Sequence, residues 1–227
     1  MAGCTAVLVG AGTGVRLGAD TPKAFLELGR VPLLARVART VVGAASIDDV
    51  VVVVGPEHRA RATAVLARAG LPSLRIVAGG DTRAESVAAG VDAVRARDDA
   101  VAVHDVARAL VPSALIDRTV GALTAPWSAV APALPVADTL KLVGPDDRVI
   151  RTVDRRGVWA VQTPQVFGWR TLRRVLGRVE RYAATDELTL VERAGGRVRV
   201  ITGDPRNFKI TYPADVAIAE TLVRHEA

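Results

Sequence analysis

The 227-residue sequence predicts an α/β fold: a mostly parallel sheet with helices on both faces, plus one protruding β-hairpin arm. Three observations carry this. Short apolar runs alternate along the chain with helical patterns. Two of those runs, 51–54 and 101–103, do not alternate with polar residues, which marks strands covered on both faces. The stretch 137–156 departs from this pattern, with two strand-like runs flanking Gly144-Pro145-Asp146-Asp147, a good four-residue hairpin loop.

Taken in order, the first strand is Thr5–Val9, an apolar run that stops at Gly10. A helix follows over Leu33–Val42, then the valine-rich strand Asp49–Val54 and a helix over Glu57–Ala69. The third strand, Leu74–Ala78, leads into a helix over Arg83–Arg95. Ala100–Val103 is the fourth strand and Pro112–Leu123 its helix, with Ala129–Ala133 the fifth strand. The arm then runs out along Asp138–Val143 and back along Arg148–Val153, and Gln162-Thr163-Pro164-Gln165 reads as a tight loop. Helices over Thr171–Arg181 and Glu187–Arg193, the strand Arg197–Thr202 and a helix over Pro213–Arg224 complete the chain. A lone two-stranded hairpin is marginal in water, so the arm is expected to pack on the core or on a second subunit.

Half the residues are hydrophobic and mean hydropathy is +0.27, enough for a large core. Length and pattern predict one domain over 1–227 with 137–156 as an excursion from it. No run of about 18 apolar residues appears, so no membrane span or membrane partner is expected. The N-terminus lacks a basic and apolar leader, and Cys4 is the single cysteine, so the expected setting is the cytoplasm. The net charge of +6 raises nucleic acid as a partner. The arginines, however, are interleaved with Asp and Glu on helix faces, and aromatics make up only 4%, which leaves few stacking platforms. No nucleic-acid partner is expected. Of 30 basic residues only Lys23, Lys141 and Lys209 are lysines, which hints that those positions need a compact charge.

The chemistry starts after the first strand. Glycines at 10, 12, 14 and 18 form a loop that carries Arg16 and ends in Thr21-Pro22-Lys23. Such a loop presents backbone N–H groups to an anion above the sheet edge, and two cations reinforce it. The dinucleotide fingerprint fails, because its last glycine would fall on Val15 or Leu17. The Walker pattern fails because Ala19 follows Gly18. A longer loop with Arg and Lys reaching in suits a triphosphate; an ordinary βα connection with turn glycines is the bland alternative.

The other polar clusters also follow strands, where a parallel sheet binds its ligands. Gly79 to Ser86 offers two glycines for close approach to a planar ligand, Asp81 as a base acceptor or simply a helix cap, and Arg83 and Ser86 on the first turn. His104-Asp105-Val106-Ala107-Arg108 places a carboxylate where Mg²⁺ is usually met; a helix cap or an Arg108 salt bridge would also account for Asp105. His104 reads as structural, since transfer to a phosphate nucleophile needs no general base. Thr185-Asp186-Glu187 is a capping pattern in its own right.

Together these motifs resemble one family. They are G-A-G-x-G-x-R-x-G…P-K in 10–23, G-G-x-x-R-x-x-S in 79–86, H-D-x-A-R in 104–108, P-V-x-D-T in 135–139, T-V-D-R in 152–155, Q-T-P-Q in 162–165, T-D-E in 185–187 and N-x-K-I-T in 207–211. The order and spacing are similar to the 2-C-methyl-D-erythritol 4-phosphate cytidylyltransferases of the non-mevalonate isoprenoid pathway.

The resemblance implies a Rossmann-like, GT-A-like nucleotidyltransferase fold and a homodimer completed through the 137–156 arm. It implies that CTP and methylerythritol phosphate are joined with release of pyrophosphate, with Mg²⁺ as cofactor. Arg16 and Lys23 would stabilise developing charge, and Arg155 and Lys209 would hold the attacking phosphate. Gly10, Ala11, Gly12, Thr13, Gly14, Gly80, Asp81, Arg83 and Ser86 would receive the nucleotide. Asp105, also the metal contact, and Val106 would lie near the ribose, while Arg108, Thr139 and Thr185 would touch the methylerythritol part. A ribitol-5-phosphate cytidylyltransferase shares most of these motifs, and a catalytically silent CTP-binding relative is the alternative of another class. The chain departs from the family's usual residues at Gly10 (usually Ala), at Val106 and Ala109 (usually Ala and Pro) and at Leu188 (usually small).

Overall fold

In a computed structural model of the chain, the residues described are 3–12, 21–95, 100–177 and 186–226. The strands are β1 (Cys4–Val9), β2 (Glu27–Leu28), β3 (Val31–Pro32), β4 (Asp49–Val54), β5 (Arg75–Ala78), β6 (Ala100–Asp105), β7 (Ala129–Pro135), β8 (Leu140–Val143), β9 (Val149–Val153), β10 (Trp159–Val161), β11 (Gln165–Gly168) and β12 (Val198–Thr202). The helices are α1 (Leu33–Val42), α2 (Arg59–Arg68), α3 (Arg83–Asp92), α4 (Ser113–Gly121), α5 (Trp169–Leu176), α6 (Glu187–Arg193) and α7 (Pro213–Glu226).

β1 lies at the centre of the main sheet. β4 pairs with it in parallel on one side and β5 continues beyond; β6 pairs with it in parallel on the other side. The chain therefore leaves β1 in one direction and returns on its opposite edge. That reversal opens a crevice at the carboxyl ends of the strands, the usual ligand position in such sheets. The valines of β4 explain why this sheet is covered on both faces. Val52 and Val54 join Leu8 in a core under α1, α2, α4 and α7, while Val51 and Val53 join Val7 in a core under α3, α5 and α6.

Beyond β6 the sheet holds two strands absent from the expected pattern. β11 runs antiparallel between β6 and the first half of β7, and β10 runs antiparallel to the second half of β7. The tight loop expected over 162–165 is thus an interruption between two strands, and Gln165 begins β11 rather than ending a loop. Short apolar content hid them: β10 is three residues, and β11 spends one of its four on glycine. β12 closes the far edge, parallel to β7. The short β2–β3 hairpin was equally hidden, since two-residue strands have no period to read.

The 137–156 arm is a hairpin of β8 and β9 that pairs only within itself. Leu142, Val143, Val149 and Ile150 on it are 44–63% exposed, so of the two expected supports, the core and a second subunit, the core does not cover these side chains among the described residues. Among the described residues no helix is long and apolar enough to cross a membrane.

Candidate functional site

A cleft of about 320 Å³ sits at the crevice between the carboxyl ends of β1, β5 and β6. It brings together Gly10, Ala11, Gly12, Lys23, Gly80, Asp81, Arg83, Ser86, Asp105, Val106 and Lys209. These come from five separated stretches of chain, and each stretch is aimed at the cleft by a local device.

Gly10 continues β1 through a hydrogen bond from its N–H to the Val53 carbonyl. Lys23 begins a three-residue 3-10 turn whose Phe25 is buried. Phe25 is held edge-on by the His58 ring and covered by the Arg61 guanidinium, which pins the turn to the far side of the cleft. The α3 end is a capping box: Thr82 accepts from the Glu85 N–H, and Glu85 accepts from the Thr82 N–H. Thr82, not Asp81, is therefore the helix cap, which leaves Asp81 lining the cleft. Gly80 is forced by this arrangement. A Cβ on it would stand 2.4 Å from Glu85 Cβ.

Asp105, at the end of β6, is the electrostatic centre. Lys209 Nζ donates to its Oδ2 at 2.7 Å, and Arg83 Nε donates to its Oδ1 at 3.3 Å. These are its ion-pair partners, so the Arg108 salt bridge read as its bland alternative is not made among the described contacts. Arg83 and Lys209 hold the Asp105 carboxyl well below the usual carboxylate range in spite of its burial. Arg83 in turn donates from one terminal nitrogen to both oxygens of Glu187, each at 2.8 Å. Glu187 is 2% exposed; burial pushes its carboxyl up and the Arg83 guanidinium opposes that rise. With two carboxylates around it, Arg83 stays firmly charged.

His104 supports Asp105 from behind. Its Nε2 meets the Arg108 carbonyl at 3.2 Å, an acceptor, so Nε2 carries the hydrogen and Nδ1 accepts from Thr163 Oγ1 at 3.0 Å. Thr163 Oγ1 accepts in turn from the Asp105 N–H at 3.1 Å. Burial lowers the His104 pKa to about 4, so the ring is neutral and structural, as its sequence context suggested. Thr163 belongs to a further buried lattice. Asn207 donates to the Thr163 carbonyl and to Gln162 Oε1, and Gln162 Nε2 donates to the Asp204 carbonyl. That lattice fixes the turn that delivers Lys209.

Other expected site residues sit elsewhere. Arg108 points its guanidinium at the Asn207 and Val161 carbonyls, bracing the segment that carries Lys209 rather than lining the cleft. Thr139 and Arg155 are exposed on the arm, outside the cleft lining. Thr13, Gly14, Arg16 and Thr185 lie outside the described residues. Asp186 caps α6 by accepting from the Thr189 N–H, as the capping pattern predicted. Sequence reasoning passed over Glu187, Thr163 and Gln162. For Glu187 no sequence signal sets it apart: an acid at a helix start is usually exposed, and only its burial against Arg83 makes it a site component.

A family model described as 2-C-methyl-D-erythritol 4-phosphate cytidylyltransferase matches residues 4–225. The chain belongs to this cytidylyltransferase family. Its relatives include the Rhodococcus jostii 2-C-methyl-D-erythritol 4-phosphate cytidylyltransferase, 45% identical over 98% of this chain and 96% of that protein. The bifunctional enzyme IspD/IspF of Clavibacter michiganensis is 44% identical over 97% of this chain, which spans 54% of that longer protein. Among solved structures, the Thermus thermophilus 2-C-methyl-D-erythritol 4-phosphate cytidylyltransferase superposes with a TM-score of 0.78 at 33% identity, covering 96% of this chain and 98% of that one. The mostly parallel sheet with helices on both faces is the family's nucleotidyltransferase architecture, as expected.

Proposed function

We propose that this family member transfers the cytidylyl group of CTP to 2-C-methyl-D-erythritol 4-phosphate in isoprenoid precursor synthesis. The observation that carries the reading is the convergence of Lys23, Asp105 and Lys209, with backbone from 10–12 and 80, on one cleft at the sheet's crevice. Relatives of matching length bear the name of that activity.

In the reaction, a phosphate oxygen of the acceptor attacks the α-phosphorus of CTP. One P–O bond forms, the α–β anhydride P–O bond breaks, and pyrophosphate leaves with the released charge. Positioning and charge stabilisation are the protein's tasks. Lys23 lines the cleft and counters the charge on the phosphates, and Arg16 is assigned the same role from its place in the loop motif. Gly10 to Gly14, Gly80, Asp81, Arg83 and Ser86 receive the nucleotide, with Val106 against the ribose. Lys209 and Arg155 hold the acceptor phosphate, and Thr139 and Thr185 its polyol. Arg108 serves by fixing the Asn207–Lys209 turn.

The residues present fit Mg²⁺. Among the described residues no cluster of three or more acidic, His or Cys ligands forms a closed cage. Mg²⁺ is usually bound through one or two carboxylates, with substrate phosphates and water completing its shell. Asp105 beside a phosphate loop is such a donor. When bound, the cation neutralises phosphate charge and aligns the triphosphate.

Arg155 and Thr139 stand outside their own chain's cleft, and the arm exposes apolar side chains. Both features support a homodimer in which each arm completes the neighbouring site. The lone, buried thiol of Cys4 suits a cytoplasmic setting.

The test is pyrophosphate release from CTP and Mg²⁺ with methylerythritol phosphate or ribitol phosphate as acceptor. Methylerythritol phosphate is expected to turn over faster. Equal or faster turnover of ribitol phosphate would reverse the assignment.

A further inference from the structure

Arg83 and Asp105 are natural partners for a two-pronged pair, since a guanidinium fork matches a carboxylate. The structure shows a weaker contact. Only Nε of Arg83 reaches Asp105, at 3.3 Å, while a terminal nitrogen is taken by both oxygens of Glu187 at 2.8 Å. Glu187 is mounted rigidly for this. It is the first residue of α6, next to Asp186, which caps the helix and accepts from Gln165 Nε2 of β11 at 3.0 Å. Its side chain is almost fully enclosed, at 3% exposure, so it has no solvent-facing alternative.

We infer that Glu187 is a positioning residue of the nucleotide site: it draws the Arg83 guanidinium away from a bidentate pair with Asp105, so that Oδ1 of Asp105 is held only by the long 3.3 Å contact from Arg83 Nε and is the oxygen most readily given up to the divalent cation that accompanies the nucleotide. This rests on the reading above that Asp105 takes that cation. Without Glu187, the guanidinium closes its fork on Asp105 and competes with the cation for the same oxygens. The neighbour on Oδ2, Lys209, is a single point charge and occupies that one oxygen only.

The experiment is calorimetric titration of CTP into the intact wild-type protein, Glu187→Gln and the double variant Arg83→Gln/Glu187→Gln, across a series of MgCl₂ concentrations. The quantity compared is the Mg²⁺ midpoint for CTP binding, because Arg83 itself lines the cleft and sets intrinsic affinity. Glu187→Gln is expected to raise that midpoint about 10- to 100-fold, as loss of a group that orients a metal ligand does. The double variant is expected to recover most of the shift, because the competing guanidinium is gone. A purely structural Glu187 gives no such recovery. A Glu187→Gln midpoint within about twofold of wild type, or a double variant as impaired as the single one, overturns the inference. If the single variant fails to fold, a folded double variant with a near-wild-type midpoint supports it, and failure of both overturns it. Wild-type protein that binds no CTP with Mg²⁺ sinks the nucleotidyl-transfer reading and this inference together; wild-type binding with unshifted variants sinks this inference alone.

Discussion

A methyl group on residue 10 would stand 3.3 Å from Cγ2 of Val106. The two positions are far apart in the chain, yet they fill one space at the floor of the cleft. A Cβ at residue 10 and the Val106 side chain would share that space. The missing methyl at Gly10 leaves room for the larger side chain at Val106, which is fully buried. Gly10→Ala is expected to cost about 1 kcal/mol through crowding against Val106, Ala24 and the Val53 carbonyl. Val106→Ala alone should cost about 1 to 2 kcal/mol through the space it empties. The double variant should recover part of the Gly10→Ala loss, because one of three close neighbours is withdrawn. Urea unfolding of the four proteins measures the coupling, and strict additivity would show that the two side chains do not share the space.

Lys23 is set in the cleft by a turn whose Phe25 is clamped between His58 and Arg61. Lys23→Ala should lower turnover about 100-fold or more, the usual effect of removing a charge-stabilising group. Arg16→Ala should do the same. Steady-state pyrophosphate release is the measurement, and near-normal turnover in both variants would remove them from the reaction.

Arg155 follows β9 and is exposed in its own chain. Arg155→Ala should raise KM for the phosphate acceptor about tenfold or more, as loss of a charge-assisted hydrogen bond does, and leave CTP affinity unchanged. An equal loss of CTP affinity would mean that the arm serves the nucleotide instead. Ile150→Asp, at the most exposed apolar position of the arm, should shift the protein toward monomer in sedimentation and lower turnover with it.

His104 gives the stability a pH signature. Its folded pKa is about 4 against 6.5 for an exposed imidazole. Between those values the unfolded chain binds a proton that the folded one does not, so stability falls as pH drops from about 6.5 to 4. The full shift is worth about 3 kcal/mol. His104→Asn should be less stable at pH 7, through loss of the Thr163 and Arg108 contacts, but should lose less on acidification. Urea unfolding at pH 7 and pH 5 compares the slopes, and parallel losses in both proteins would refute the assignment.

Much of the cleft's lining is legible in the sequence. Glycine loops, Lys23, Asp105 and Lys209 each follow a strand or turn whose period is plain in the sequence, and a parallel sheet gathers its strand ends on one edge. The hidden strands β10 and β11 were not legible, because three or four residues carry too little period to separate a strand from a loop. Nor was Glu187. Its sequence neighbours explain it fully as a helix start, and its pairing with Arg83 spans 104 residues.

By itself, then, the sequence determined the α/β layering, the family and the chemical types that the cleft collects, because these depend on local period and on residue identity. Only the tertiary structure decided which of those groups meet. Asp105 could have paired with Arg108, three residues away, and pairs instead with Arg83 and Lys209. Arg108 is drawn off by backbone carbonyls at 161 and 207. Gly10 and Val106 become one packing unit only when β1 and β6 lie side by side. Such contacts follow from the path of the chain through space, and no periodicity along it records them.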